Sequence, residues 1–314
     1  MSTTGTPTPI VLDCDPGHDD AIALLLALAS PEVELLGVTT VAGNQTLAKT
    51  TANALRVLEH VGREEIPVAP GADRPLVRPQ HAAPEVHGET GLDGPDLPPA
   101  RGRPLDVHAV DFIAERLHAS DRPVTLVPVG PLTNVALLLA RHPGAAEKID
   151  RVVLMGGAIA EGNVTPAAEF NVWADPEAAQ RVFSSGLDVT MVGLDVTHRA
   201  LLLPDRVEEL RAAGRAGRFV AELFDFFHRF HERIYGFEGS PIHDAVAVAE
   251  VIRPGIVRTE RRHVEVDCAS ELCRGRTVVD LWRRTGKEPN TNVGVGVDAD
   301  AFVDLLVERI SSLG

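Results

Sequence analysis

Short apolar, β-branched runs alternate with helix-forming segments through most of the chain, and this alternation constrains the fold more than any other feature. Residues 10–13, 33–41, 66–69, 124–129, 151–155 and 189–194 read as strands. Between them, residues 21–29, 47–61 and 107–119 and an Ala/Leu-rich stretch after Asn134 read as helices. In 47–61 the apolar residues Leu47, Ala54, Leu55, Leu58 and Val61 fall at helical spacing. Ser30-Pro31 and Gly62 close the first two helices, and Asp175-Pro176-Glu177 opens another with Asp at the cap and Pro in the first turn. Strands apolar along their length and separated by helices are buried on both faces and pair in parallel. The expected fold class is α/β: a single-domain, open, mostly parallel, Rossmann-like sheet flanked by helices. The C-terminal third adds strands at 264–266, 277–280 and 292–297, an aromatic-rich helix at 221–235, an apolar helix opened by His243-Asp244 and a final helix at 299–311. There is no repeat or linker, so one domain is expected over residues 9–314. Residues 1–8, small, polar and uncharged apart from the terminus, read as a flexible tail.

The alternation pauses at residues 70–104, which are crowded with Pro and Gly and contain Val86-His87-Gly88-Glu89-Thr90-Gly91-Leu92-Asp93-Gly94. A loop this long in a compact domain is usually a binding loop or lid; a disordered insertion is the alternative. In open parallel sheets ligands sit at the carboxyl ends of the strands. The polar residues of this chain collect there: Asp13 and Asp15, Gly43-Asn44, Thr133-Asn134, Asn163 and Asp195.

Charge narrows the partners. Thirty basic and 45 acidic residues leave a net charge of −15, which repels nucleic acid and offers no polybasic membrane patch. No apolar run reaches the about 18 residues a membrane helix needs. Three cysteines, Cys14, Cys268 and Cys273, have no metal-ligand spacing and leave one unpaired, which fits a reducing, cytoplasmic setting.

Asp13, Asp15, Asp19 and Asp20 put four carboxylates within eight residues around a Pro16-Gly17 turn. Alternation places Asp13 and Asp15 on one side of the strand end. Asp19 and Asp20 fall in a first helical turn, where the helix dipole favours an anion by only about 0.3–1 kcal/mol. That is too little to hold four like charges together, so protonation or a cation is required. Oxygen-only ligation suits a hard ion such as Ca²⁺ or Mg²⁺; zinc fits poorly, since Cys14 alternates to the opposite face and no His pair is near. A single aspartate is explained as a helix cap or a loop anchor; all four together are not. His243-Asp244 is a second anchor. Asn163, Thr165, Glu169 and Asn171 form a third, whose amides and carboxylate suit sugar hydroxyls, with a solvated loop as the alternative.

Taken in order, these segments resemble the nucleoside hydrolase family, the inosine-uridine-preferring N-ribohydrolases, from about residue 10 to residue 310. The signature is Leu12-Asp13-Cys14-Asp15-Pro16-Gly17-His18-Asp19-Asp20-Ala21. It is followed by Val41-Ala42-Gly43-Asn44, His87-Gly88-Glu89, Val129-Gly130-Pro131-Leu132-Thr133-Asn134, Leu154-Met155-Gly156-Gly157, Ala168-Glu169-Phe170-Asn171, Val192-Gly193-Leu194-Asp195-Val196-Thr197 and His243-Asp244. The resemblance implies N-glycosidic hydrolysis of ribonucleosides in nucleoside catabolism and salvage, with a Ca²⁺ held by Asp15, Asp20, Asp244 and the Val129 carbonyl. Asp15 would be the general base, with Asp13 supporting it. Asp19, Asn44, Asn163, Glu169, Asn171 and Asp244 would bind the ribose. A homo-oligomer, dimer or tetramer, is also implied.

The leaving-base pocket is expected from His87, Phe170, Phe227, His231, Tyr235 and His243, with His243 in a catalytic role. Family members of the purine-accepting type place Tyr where this chain has Phe227 and His231; those preferring pyrimidines carry a Tyr matching Tyr235. His231 and Tyr235 are four apart on one helix face and, with His243, suggest a polar relay at the base edge. The expectation is therefore uridine and cytidine over inosine. Trp173 reads as core rather than a stacking platform. Two rivals are an aspartate-nucleophile phosphohydrolase, which lacks its hydroxyl at Gly17, and a Ca²⁺-stabilised nucleoside-binding protein without turnover.

Overall fold

The computed structural model describes residues 5–314. Residues 1–4 of the expected tail lie outside the described residues, and the first strand already begins at Thr8, which pairs with Val33. The strands in chain order are β1 (Thr8–Cys14), β2 (Val33–Thr40), β3 (Val68–Pro70), β4 (Val124–Pro128), β5 (Ile149–Met155), β6 (Val189–Val192), β7 (Leu201–Leu202), β8 (Ser240–Pro241), β9 (Val257–Arg262), β10 (Val264–Val266), β11 (Thr277–Val279) and β12 (Thr291–Val297). The main sheet runs β3-β2-β1-β4-β5-β6-β12-β9, parallel throughout except for the antiparallel edge strand β9.

Within it the order 3-2-1-4-5-6 is the doubly wound Rossmann arrangement. The direction of winding reverses between β1 and β4, which opens a crevice at their carboxyl ends. Two apolar layers flank the sheet. Ile10, Leu12 and Cys14 of β1 join one; Val11 joins the other. Cys14 thus faces away from Asp13 and Asp15, as strand alternation requires.

The helix His18–Leu28 is buried on nearly every side and packs against His243–Ile252, which is buried along its full length. Beyond their first turns both are apolar on every side except at Glu250, as suits helices enclosed by other elements. Their contact brings two N-termini together: Asp19 and Asp20 in one first turn, His243 and Asp244 in the other.

The strands expected at 264–266 and 277–280 are present, at 264–266 and 277–279, and form a separate antiparallel ribbon, β10 with β11. The edge strand beyond β12 is β9, which the sequence reading missed because Arg258, Glu260, Arg261 and Arg262 hide its strand character; charge is how an edge strand avoids pairing with other chains. The aromatic helix starts at Arg215, not at 221, and runs to Tyr235. The long loop at 70–104 holds only the short helix Pro84–His87.

Candidate active site

The crevice between β1 and β4 is built around Asp13 and Asp15. Asp13 pairs with Pro128 in the sheet, and its Oδ1 accepts from Thr39 Oγ1 (2.6 Å) and Asn134 Nδ2 (2.8 Å). Burial pushes its carboxyl up to about 6 against those two hydrogen bonds. Asp15 lies just past the strand and is fully buried. Its Oδ2 accepts from the Asn44 backbone N–H at 2.6 Å, and its Oδ1 has no partner among the described residues. Two glycines make room for it. A Cβ at Gly43 would sit 2.1 Å from Oδ2, and one at Gly130 would sit 2.3 Å from Oδ1.

Asp20 closes the Pro16-Gly17 turn. Its Oδ1 accepts from the Asp15 N–H (3.0 Å), and its Oδ2 accepts from the Gly17 N–H (2.9 Å) and Asn44 Nδ2 (3.1 Å). One carboxylate oxygen each from Asp19, Asp20 and Asp244 lies within 4.8 Å of the others. All four of Asp15, Asp19, Asp20 and Asp244 are buried. Burial raises the pKa of each, and repulsion from the neighbouring carboxylates adds to the rise for Asp15, Asp19 and Asp244. No ion pair among the described residues involves them.

Buried acids with an unpartnered oxygen and no cationic side chain fit a metal ion, and an oxygen-only donor set fits a hard one. The Val129 carbonyl borders the same space. It accepts from Asn171 Nδ2 at 2.8 Å, which leaves its second lone pair free.

A cavity of about 170 Å³ opens beyond the acids, against the roughly 10–15 Å³ that one water needs by the same measure, so it accommodates a small organic molecule. Asp19, Asn44, Asn163, Glu169, Asn171 and Asp244 all line it; Asp15 and Asp20 sit behind that lining. The Glu169 carboxylate caps the helix Phe170–Ala174, accepting from the backbone N–H groups of Asn171, Val172 and Gly157 at 2.8, 3.1 and 2.8 Å. Burial outweighs these donors and pushes its carboxyl up to about 7. Asn163 is exposed at the rim, and its Oδ1 accepts from the Phe170 N–H. Asp195 lies outside the cavity lining and ties down the chain after β5 through the Ile159 and Ala160 N–H groups.

The far end of the cavity gathers His87, Phe170, Phe227, His231, Tyr235 and His243, all six expected residues. The expected relay is not wired by hydrogen bonds. The His231 and Tyr235 rings stack at 5.9 Å, but His231 Nδ1 bonds the Phe227 carbonyl one turn back in its own helix, at 3.0 Å. The His231 and His243 ring centres are 6.1 Å apart. His243 Nδ1 instead meets Thr197 Oγ1 at 2.7 Å. Burial lowers the pKa of His87 and His243 and takes His231 down to about 4, so these rings are neutral.

Sequence reasoning missed His198, which lines the cavity with its ring 5.6 Å from His243 and 5.7 Å from Tyr235. It also missed Phe230, one helical turn from His231's neighbour Phe227, and His18, buried inside the acidic signature. Trp173 is half-buried under Arg274 and beside His81, away from the cavity.

A sequence profile described as inosine-uridine preferring nucleoside hydrolase matches residues 10–304. The chain is 53% identical over 305 residues to the pyrimidine-specific ribonucleoside hydrolase RihA of Shewanella sp. (strain ANA-3), covering 96% of each. Among solved structures it resembles a purine-preferring ribonucleoside hydrolase from Gardnerella vaginalis, with a TM-score of 0.92, 34% identity and coverage of 98% and 99%. It also resembles the plant nucleoside hydrolase PpNRh1, with a TM-score of 0.91, 32% identity and coverage of 98% and 99%.

Proposed function

The chain belongs to the inosine-uridine preferring nucleoside hydrolase family and is a ribonucleoside hydrolase, and from that premise we propose that it cleaves pyrimidine nucleosides, uridine and cytidine, to ribose and free base with the help of Ca²⁺. The observation that carries the mechanism is the unpartnered, fully buried Asp15 Oδ1 among carboxylates with no counter-ion. Asp15, Asp20, Asp244 and the Val129 carbonyl would hold the ion. When bound, Ca²⁺ supplies charge that acidifies the attacking water and anchors the ribose hydroxyls.

The chain's own groups do the rest. Asp15 is held through Oδ2 by the Asn44 N–H, so Oδ1 is the oxygen that takes the proton. Asp13 steadies the end of β1 that carries Asp15. Asp19, Asn44, Asn163, Glu169, Asn171 and Asp244 surround the ribose. As the glycosidic bond breaks, positive charge builds on the sugar, and these fixed carboxylates and amide oxygens stabilise it in a water-poor cavity. His243, braced by Thr197 at Nδ1, offers Nε2 to the departing base.

The pyrimidine assignment is supported by the specificity of the relatives at about half identity and by Tyr235 at the base end. Three free cysteines and the lack of any membrane-length apolar helix among the described residues are consistent with a cytoplasmic enzyme. We further assign it a homodimeric or homotetrameric state, on the resemblance alone.

The test is reducing-sugar release from uridine, cytidine, inosine and adenosine, before and after chelation and again after adding back Ca²⁺ or Mg²⁺. The expected result is release that is fastest with the two pyrimidines, is lost on chelation and is restored best by Ca²⁺. Release fastest from inosine would overturn the base assignment, and undiminished release after chelation would overturn the role of the ion.

A further inference from the structure

Four imidazoles line the cavity, and three of them spend a ring nitrogen on the protein. His87 Nδ1 accepts from the His18 backbone N–H at 3.3 Å, His231 Nδ1 meets the Phe227 carbonyl at 3.0 Å and His243 Nδ1 meets Thr197 Oγ1 at 2.7 Å. His198 spends none. Neither of its ring nitrogens has a hydrogen-bond partner among the described residues, and neither is sealed from solvent. The ring stands half-buried beside Tyr235 and His243, at the end of the cavity away from the acids that hold the sugar.

The place of that ring is fixed all the same. His198 ends the turn Leu194–Thr197, with its own N–H on the Leu194 carbonyl at 2.9 Å. Its ring meets Phe237 edge-on at 5.5 Å, and Tyr235 and His243 at 5.7 and 5.6 Å. Ring contacts of this kind set position and leave the proton unassigned. Burial lowers the pKa of His198 against the pull of Glu161 and Asp195, so the ring is neutral. A neutral imidazole has one donor and one acceptor nitrogen, and its two tautomers exchange those roles. In His198 the exchange breaks no bond to the protein.

Uracil and cytosine call for such an exchange. Where uracil presents the O4 acceptor, cytosine presents an amino donor, and the neighbouring ring nitrogen inverts its role as well. A side chain fixed as a donor or as an acceptor suits one base here and leaves an unmatched polar group against the other, which costs more than the bond was worth. We propose that His198 is a specificity-determining residue that lets one pocket take both pyrimidines: it bonds the edge at which the two bases differ, donating to uracil O4 in one tautomer and accepting from the cytosine amino group in the other. The assignment rests on the hydrolase reading for its substrates.

Three substitutions separate the roles that the imidazole combines. His198→Lys leaves only a donor, and His198→Glu, when ionised, leaves only an acceptor. His198→Gln keeps both, since its terminal amide can turn over. A charge introduced at this position acts on the sugar alike in the two nucleosides. The ratio of kcat/KM for uridine to that for cytidine therefore isolates what happens at the base edge.

The test measures that ratio in the whole protein, supplied with metal, for the wild type and the three variants. The expected result is a ratio raised about tenfold in His198→Lys and lowered about tenfold in His198→Glu, the factor that one hydrogen bond supports, with His198→Gln within about threefold of the wild type. A ratio that neither charged variant moves overturns the proposal, and so does a shift in the same direction in both. The wild type supplies a check that needs no variant to fold: its KM values for uridine and cytidine should agree within about tenfold, and a wider gap overturns the proposal. Release of sugar from neither nucleoside by the wild type refutes the hydrolase reading itself and removes the premise. Release from both, with a ratio that the variants leave unmoved, refutes only the role of His198.

Discussion

Gly130→Ala bears chiefly on the placement of Asp15, the side chain nearest its Cβ, with Val41 Cγ1 next at 3.1 Å. Gly130 has no left-handed backbone angle, so alanine brings no backbone strain of its own. Its Cβ would lie 2.3 Å from Asp15 Oδ1, while ordinary contact begins near 3.4 Å. The carboxylate must therefore move by about 1 Å. Oδ1 has no hydrogen bond to break, whereas Oδ2 is tied to the Asn44 N–H at 2.6 Å, so the group pivots about Oδ2 and carries Oδ1 away from its position. A displacement of that size at a reacting group lowers the rate roughly 10²-fold, or about 2.7 kcal/mol in the barrier. The stability cost should be small for the same reason the pivot is easy. The assay is kcat/KM for uridine with saturating metal, alongside a melting curve and the bound-metal content. Gly144→Ala is the control, since nothing lies within 4 Å of its Cβ and it should match the wild type. A Gly130→Ala enzyme within threefold of wild-type rate would refute the reasoning, because it would show that the position of Oδ1 does not govern the chemistry.

His243→Ala should slow uridine by about 10²–10⁴-fold, while p-nitrophenyl riboside, whose leaving group needs little protonation, slows far less; equal losses would remove His243 from leaving-group chemistry. Stripping the metal should lower the melting temperature by about 6 °C relative to protein held at a thousand times the metal Kd, and a curve indifferent to chelator would contradict the ion's place in the site. Glu169 is raised from 4.5 to about 7 by burial, so its contribution to metal-free stability is full below the unfolded value and is lost as pH rises through the folded one. Metal-free wild type should lose on the order of 2–3 kcal/mol more than Glu169→Gln between pH 4.5 and 7.5, measured by urea melts; parallel profiles would contradict it. The Tyr235 hydroxyl makes no hydrogen bond among the described residues, so Tyr235→Phe should keep the melting temperature while lowering kcat/KM for uridine more than for inosine; equal losses would detach Tyr235 from base selection.

The parts of this fold that the sequence discloses are those in which one physical demand dominates. The strands from β1 to β6 are mostly apolar because helices cover both faces, with exposed acids such as Glu34 and Asp150 confined to their starts. β9 meets the opposite demand: its Arg and Glu residues guard a sheet edge and mask the strand. The acidic cluster is legible because four neighbouring carboxylates have no innocuous explanation. His18 was given no role within its signature, and His198 was not singled out at all, because a single histidine carries no pattern. One gains its meaning from Asp93 and His87, at least 69 residues away, and the other from His243 and Tyr235. The relay expected of His231, Tyr235 and His243 failed for a related reason. Shared helix face predicted proximity correctly, but the helix's own carbonyl at Phe227 captured the His231 nitrogen first.

The two ends of the cavity are held by different kinds of structure, and this bears on how one fold serves different bases. The acid end hangs on the sheet. Asp13 is fixed by strand register, Val129 by its N–H on the Asp13 carbonyl, and Asp15 by the Asn44 N–H at the end of β2. A change there disturbs several strands at once. The base end hangs on the helix Arg215–Tyr235, the short helix Pro84–His87 and the turn at Leu194–Thr197, and its side chains meet through ring contacts at 4–6 Å. A ring contact tolerates exchange of Phe, His or Tyr more readily than a buried carboxylate held by directed hydrogen bonds tolerates replacement. Fold similarity therefore extends to a purine-preferring relative, and under the proposed function the choice of base would fall to the few side chains of that helix, the loop at 70–104 and the turn. His18 stands at the junction: it opens the helix that carries Asp19 and Asp20, and its ring lies 5.4 Å from that of His87 at the other end.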